Sequence, residues 1–352
     1  MSFFNKKPVI NTTGSIDKDV ALPTDGCDTI SSLRWSPASD HLAAASWDGK
    51  ARIYQVAKDG NGQGIAMLNA EGPLFSCDWS KDGTMVTAAG ADKKIHVLQA
   101  ASGQTTSFAA HDAPIRDVRF VDIPSAGAPI IASGSWDKTV RYWDIRNSGQ
   151  PVATVQLPER VYAMDTSGPL LVISTADGQC SLINLHNNPA ALLRTDKNKL
   201  KHQTRSLSVA PSGKYWATGS IEGRASVQAV DPAESAKVDF TWRCHRDPAD
   251  AKKVVKVWAC NAVAYNPKRE SCVATAGSDG TFVFWDVEQH TKLKAFPTVG
   301  GAITDCAFDR TGSMFAYAVG YDWSMGYQHN TPNYPTKLMI HPTPEDEIYR
   351  AK

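Results

Sequence analysis

The chain has 352 residues with 37 Lys plus Arg against 36 Asp plus Glu, so net charge selects neither nucleic acid nor a membrane surface as its partner. Its 42% hydrophobic content and ten Trp are enough for a sizeable core in one or two domains. Seven cysteines, odd in number, scattered and never spaced Cys-x-x-Cys, fit buried thiols of a reducing compartment better than a disulfide frame or a zinc site.

From the N-terminus, "MSFFNKKPVI" lacks the apolar run of a signal peptide, and no stretch approaches the ~18 apolar residues of a membrane helix. A soluble intracellular protein without membrane insertion is expected, which leaves the sequon at Asn11 uninformative. Residues 1–27 then read as an N-terminal segment, and "KDVALPT" within it as a strand.

From residue 28 one phrase returns seven times: an alternating stretch, a run of small residues, an acidic turn, then another alternating stretch. It appears as "LAAASWDGKARIYQV", "MVTAAGADKKIHVLQA", "IIASGSWDKTVRYWDI", "LLVISTADGQCSLINL", "YWATGSIEGRASVQAV", "CVATAGSDGTFVFWDV" and, in degenerate form, "MFAYAVGYDWSMGYQ". The turn acids Asp48, Asp92, Asp137, Asp177, Glu222, Asp279 and Asp322 stand 40 to 57 residues apart. Each copy follows a further strand, such as "SSLRWSP" or "TDCAFDRTG", and turns rich in Ser, Pro, Asp and Gly. Four strands per period of this length is the signature of a propeller blade. The chain is therefore predicted to be all-β, a seven-bladed propeller over residues 28–343. After "KLMIHPT" only a charged tail, 344–352, remains for the last blade, so the N-terminal strand is expected to close the ring.

An acid that recurs in every blade is scaffold rather than catalyst. No phosphate loop, metalloprotease, nucleophile-elbow or kinase motif occurs. "DGNGQG" at 59–64 opens no helix and reads as a flexible link between blades one and two. The nine histidines show no metal-ligand spacing. The expectation is a non-enzymatic protein without cofactor or metal, the central channel being the one place left for a small ligand.

Function is sought where the repeat is broken, in the 57-residue interval between blades five and six. Arg205 begins the first strand of blade five and Arg224 its third. First and third strands of an antiparallel meander run the same way, so the two guanidinium groups belong on one rim, roughly 10 Å apart. Lys199, Lys201 and His202 approach that rim from the preceding loop. Such a row suits bidentate capture of carboxylates. A partner's acids or the chain's own, Glu222 for instance, would satisfy it. In "FTWRCHR", Phe240, Trp242 and Cys244 alternate with Thr241, Arg243 and His245, as expected of a half-exposed outermost strand. Beside it "FVFWDVEQHTKLK" supplies Trp285, His290, Lys292 and Lys294. Aromatics interleaved with bases can stack on unpaired bases or seat an apolar side chain; packing between blades is the plainer use, above all for Trp285.

Nearly the whole chain resembles the WD-repeat family, with Trp-Asp intact at Trp143–Asp144 and Trp285–Asp286. That likeness implies a structural hydrogen-bond network of His111, Asp137 and Trp143. From about residue 199 to 330 the stretches "LKHQTR", "GSIEGR", "FTWRCHR", "GSDGTFVFWD", "TKLK" and "FAYAVGYDWSMG" narrow the resemblance to the poly(A)+ RNA export WD-repeat proteins of the nuclear pore. The resemblance implies an adaptor in mRNA export, in the nucleus and at the nuclear envelope and shuttling to the cytoplasm, a monomeric propeller within a hetero-complex. It implies a nucleoporin partner whose GLEBS motif brings glutamates to arginines matched by Arg205 and Arg224, with Lys201 and His202 beside them. It also implies contact with single-stranded RNA at Trp242, Arg243, Trp285 and Lys292. Val287 and His290 depart from the basic residues expected there, while "AKKVVK" at 251–256 offers replacement charge. The alternative is the related mitotic spindle-checkpoint adaptors, which grip kinetochore proteins through the same two arginines; "YDWSMG" fits the export group.

Overall fold

The computed structural model describes residues 12–24 and 26–349. Asn11 of the sequon, the first residues and the last three of the tail lie outside that range. Seven four-stranded antiparallel sheets form the blades, each a meander from an inner strand at the channel to an outer one at the periphery. Among the described residues no helix is long and apolar enough to cross a membrane.

Second strands are buried along nearly their whole length because each is covered by a blade on both faces. Met85–Gly90, Ile130–Ser135 and Cys272–Gly277 have every residue buried. Their small residues let adjacent sheets approach. Hydrophobic clusters lie between neighbouring blades rather than at one centre: Leu74, Cys77 and Trp79 of blade two pack on Ala43, Ala45 and Ile53 of blade one. Such shared cores explain why a blade needs its neighbours.

Inner strands are linked by a recurring device. The carboxylates of Asp78, Asp117, Asp165 and Asp305 each accept a backbone N–H from the next blade, at Phe120, Met164, Val209 and Leu33, over 2.7–2.9 Å. Arg34 reaches Asp165 at 3.1 Å, spanning blade one to blade four, and Arg119 lies 3.1 Å from Asp165 and 3.2 Å from Asp117. Channel charge is thus engaged in joining blades.

The ring closes with the N-terminal strand Val20–Leu22, which pairs antiparallel with Lys337–Pro342 as the outer strand of blade seven. Asp19 fixes it: its carboxylate accepts from Tyr317 Oη at 2.7 Å and lies 2.6 Å from His341 Nδ1. The tail docks more firmly than its charge suggests. A short helix, Glu345–Ile348, buries Ile348 against blade six, while Glu347 meets His341 Nε2 at 2.9 Å. "DGNGQG" is not a link between blades: Gly60 (φ 85°) turns the chain and Gly62 begins the outer strand Gly62–Asn69 of blade one.

Candidate adaptor surface

In blade three the sequence-derived network is complete. His111 Nδ1 lies 2.8 Å from Asp137, and its Nε2 lies 2.7 Å from Ser133 Oγ. Trp143 Nε1 donates to the same Ser133 at 2.9 Å, and Thr139 Oγ1 donates to Asp137 at 2.6 Å. Burial alone would raise the Asp137 carboxyl, but the bonds from His111 and Thr139 outweigh it and hold the pKa well below the usual range. Ser133 and Thr139 were not evident beforehand, because small polar residues on buried strands carry no motif. Blade six repeats part of the pattern: His245 meets Asp279, Thr281 donates to Asp279, and Trp285 donates to Thr275.

The strand register of blade five places the arginines. Thr204 pairs with Ser220, Ser220 with Arg224, and Arg224 with Arg243, so these residues form one row across the sheet. Arg205 and Arg224 therefore start their strands at the same rim, two strand spacings or roughly 10 Å apart. Their surroundings differ. Arg224 Nε lies 3.6 Å from Glu222, whose other oxygen accepts the Lys201 backbone N–H at 3.3 Å. Arg205 is half-buried in the channel mouth and donates to Asn261 Oδ1 at 3.1 Å and the Asp322 carbonyl at 3.3 Å. Burial pulls its pKa down and Arg116 adds to that, against the opposing pull of Asp322. Among the described residues neither Arg205 nor Arg243 has a carboxylate within 4.0 Å. Arg243, Lys201 and His202 are exposed, whereas Lys199 is taken by Asp239 at 3.1 Å.

Beside this row runs an aromatic arc. Trp323 stacks on Trp47 with centroids 4.4 Å apart, Trp47 meets Phe75 at 5.3 Å, and Phe75 meets Trp136 at 6.0 Å. With Tyr162, Arg116 and Arg205 these rings line a cavity at the channel mouth, and Trp136 is 39% exposed. A signal for it was present: Trp stands directly beside the turn acid in copies one, three and seven, at Trp47, Trp136 and Trp323. The turns between second and third strands lie on the rim of Arg205 and Arg224, so the arc and the cationic row share one face.

The second surface lies at the outer edges of blades five and six. Phe240 stacks on Trp242 at 5.0 Å and on His290 at 4.0 Å, Trp242 meets Trp285 at 6.0 Å, and Lys292 sits 5.6 Å over the Trp285 ring. Trp285 serves its blade by donating to Thr275 at 2.9 Å. Trp242 is half-buried and its Nε1 has no partner. His290 stands where a base was expected, and its ring is used against Phe240.

One expectation fails here. Alternation grouped His245 with Thr241 and Arg243, which are both exposed. It is instead buried, because a φ of 48° breaks the strand after Arg243 and turns the ring inward onto Asp279. The same turn brings Cys244, His245 and Cys260 together, although no ligand spacing marks them in the sequence.

A family model described as WD domain, G-beta repeat matches residues 21–55, 63–98 and 102–144. The chain is 45% identical over 351 residues to the poly(A)+ RNA export protein of Schizosaccharomyces pombe, covering 99% of this chain and 98% of that one. It is 46% identical over 341 residues to the mRNA export factor GLE2 of Chaetomium thermophilum, covering 96% and 94%. The solved structure of U3-55K shares the fold, with a TM-score of 0.78 at 18% identity over 93% of this chain and 98% of that one. With identity of this level along almost its entire length, the chain belongs to the family of WD-repeat poly(A)+ RNA export factors.

Proposed function

We propose that this protein is a non-enzymatic adaptor of mRNA export that seats a glutamate-bearing, GLEBS-type segment of a nucleoporin on the rim of blade five. The observation that carries this reading is the surplus of cationic groups there. Arg205 is held only by neutral oxygens, and Arg224 shares one carboxylate at 3.6 Å. An incoming carboxylate would relieve a partly desolvated guanidinium, the setting in which a charge-assisted hydrogen bond is worth most. Lys201, His202 and Arg243 extend the positive row, and the Trp47–Trp136–Trp323 arc offers an apolar seat beside it. The nuclear and pore-associated location follows from the export role the relatives' names carry. Contact of single-stranded RNA with Trp242, Arg243, Trp285 and Lys292 belongs to the same proposal as a second, weaker surface.

The test is a titration of a fluorescent nucleoporin-derived peptide, with its glutamates intact or changed to Gln. Arg224→Glu should weaken binding at least tenfold, since one charged hydrogen bond is worth about 1.5–3 kcal/mol. Its thermal midpoint should hardly move, because the side chain is part-exposed. Arg205→Glu is the poorer probe, as it would set a carboxylate against the Asp322 carbonyl. Equal affinity of Arg224→Glu and the native chain for the intact peptide would refute the rim assignment.

A further inference from the structure

We propose that Cys244, Cys260 and His245 form a zinc-binding site that staples the outer strand of blade five to the inner strand of blade six. Cys244 follows the outer strand Phe240–Arg243, and Cys260 opens the inner strand Cys260–Tyr265. All three side chains are buried, and their donor atoms lie within 4.8 Å of one another. Zinc bonds of about 2.3 Å to sulfur and 2.0 Å to nitrogen give tetrahedral edges of about 3.5–3.8 Å. Closing the present arrangement on an ion therefore takes shifts of about 1 Å.

The comparison between blades supplies an independent pointer. In blade three the His111 Nε2 is used by Ser133 and its Nδ1 by Asp137. In blade six Asp279 holds the His245 Nδ1 at 2.9 Å, and the Thr275 hydroxyl accepts from Trp285. His245 Nε2 is left buried without an oxygen partner among the described residues, and its neighbour is the Cys260 thiol. A structural histidine would gain from the hydroxyl bond its counterpart makes; this one turns the nitrogen to sulfur instead. A carboxylate on Nδ1 is also the outer partner that metal-bound histidines commonly have, fixing the tautomer whose Nε2 lone pair can ligate.

Chemistry selects the ion. Two thiolates and a neutral imidazole are a soft donor set suited to Zn²⁺ or Cu⁺. The dication is favoured because two thiolates neutralise it in a site where a net charge would be costly. Binding releases two thiol protons to solvent, forms two Zn–S bonds and one Zn–N bond, and leaves the fourth position of the tetrahedron to water. No electron transfer is involved. Anchorage is immediate: the Cys244 backbone N–H donates to the Gly223 carbonyl at 3.0 Å, and a Cβ on Gly223 would come within 2.9 Å of the Cys244 carbonyl. The site thus lies directly under the Arg224–Arg243 row.

The experiment uses the full chain, purified without chelators or nickel under thiol protection, and needs no peptide ligand. Elemental analysis should find close to one zinc per chain, falling below a tenth in Cys260→Ala and Cys244→Ser. Cobalt exchanged into the site should give a thiolate charge-transfer band and intense tetrahedral d–d bands, both lost in the same variants. Should those variants not fold, the native chain decides. Mass-spectrometric alkylation with and without a chelator should expose Cys244 and Cys260 selectively among the seven cysteines. Background zinc in the native chain, zinc retained by both variants, uniform alkylation, or a Cys244–Cys260 disulfide in the fresh protein would each overturn the proposal. Copper in place of zinc would overturn the assignment of the ion.

Discussion

Ser133 is the hinge of the blade-three network, and its removal can be set against a matched change in blade six. Ser133→Ala deletes the partner of two buried groups at once, His111 Nε2 at 2.7 Å and Trp143 Nε1 at 2.9 Å. Each buried group left unsatisfied costs about 1–3 kcal/mol, so the pair should cost about 2–6 kcal/mol. Unfolding entropy of about 2.1 cal/mol/K per residue gives a chain of this length about 0.7 kcal/mol/K, and Tm should fall by about 3–8 °C. Thr275→Val is nearly isosteric and orphans only Trp285 Nε1, since His245 makes no bond to Thr275. Its cost should be about 1–3 kcal/mol, half as large. Scanning calorimetry of both variants at one fixed rate, supported by urea titration, would read the difference. Equal losses in the two variants, or a Ser133→Ala midpoint within 1 °C of native, would refute the claim that shared buried partners set the energetics of the repeat.

Three other outcomes rest on single side chains. Burial alone would lower the His341 pKa, but hydrogen bonds to Asp19 and Glu347 outweigh it and raise it above 6.5; its stabilisation is then complete below pH 6.5 and lost as pH rises through the folded value, and His341→Gln should flatten that limb of a Tm-versus-pH curve. Asp137 titrates the other way, because its folded pKa is depressed: its contribution is full above about pH 4 and is lost gradually as pH falls from there to the folded value, so the stability gap between Asp137→Asn and the native chain should narrow only in part by pH 3 and close further below it. Trp242→Ala should weaken single-stranded RNA binding by about 1–3 kcal/mol if a base stacks there, with affinity of the native chain falling as salt rises; unaltered RNA affinity in a filter-binding or anisotropy assay would remove Trp242 from that surface.

The architecture was legible because it is repetitive. Seven copies of one phrase overdetermine the blade, and the missing outer strand after "KLMIHPT" points to residues 18–24. The same-rim placement of Arg205 and Arg224 was also legible, since it needs only the direction of strands in a meander. What alternation could not supply was the exception to alternation. His245 was grouped with Thr241 and Arg243 because a strand was assumed to continue; its own left-handed backbone parts it from them. The tail read only as charged, yet one apolar residue, Ile348, and one carboxylate, Glu347, dock it.

Function on a propeller is written in a different register from the fold. The fold repeats, so any feature that occurs once, or in only some blades, is released from the duty of holding the ring. Trp47 and Trp136 directly precede turn acids and Trp323 directly follows one; the position before the acid is Tyr321 in that last blade and Ala91, Ala176, Ile221 and Ser278 in the other four. Four small or medium side chains at that position show that the blade does not require an indole there, so three half-exposed tryptophans on one rim have another purpose. His245 obeys the same logic: the blade-three copy demonstrates what the scaffold needs from that histidine, and the nitrogen left over in blade six is what the scaffold does not need. Subtracting one blade from another thus isolates the candidate sites more sharply than reading any blade by itself.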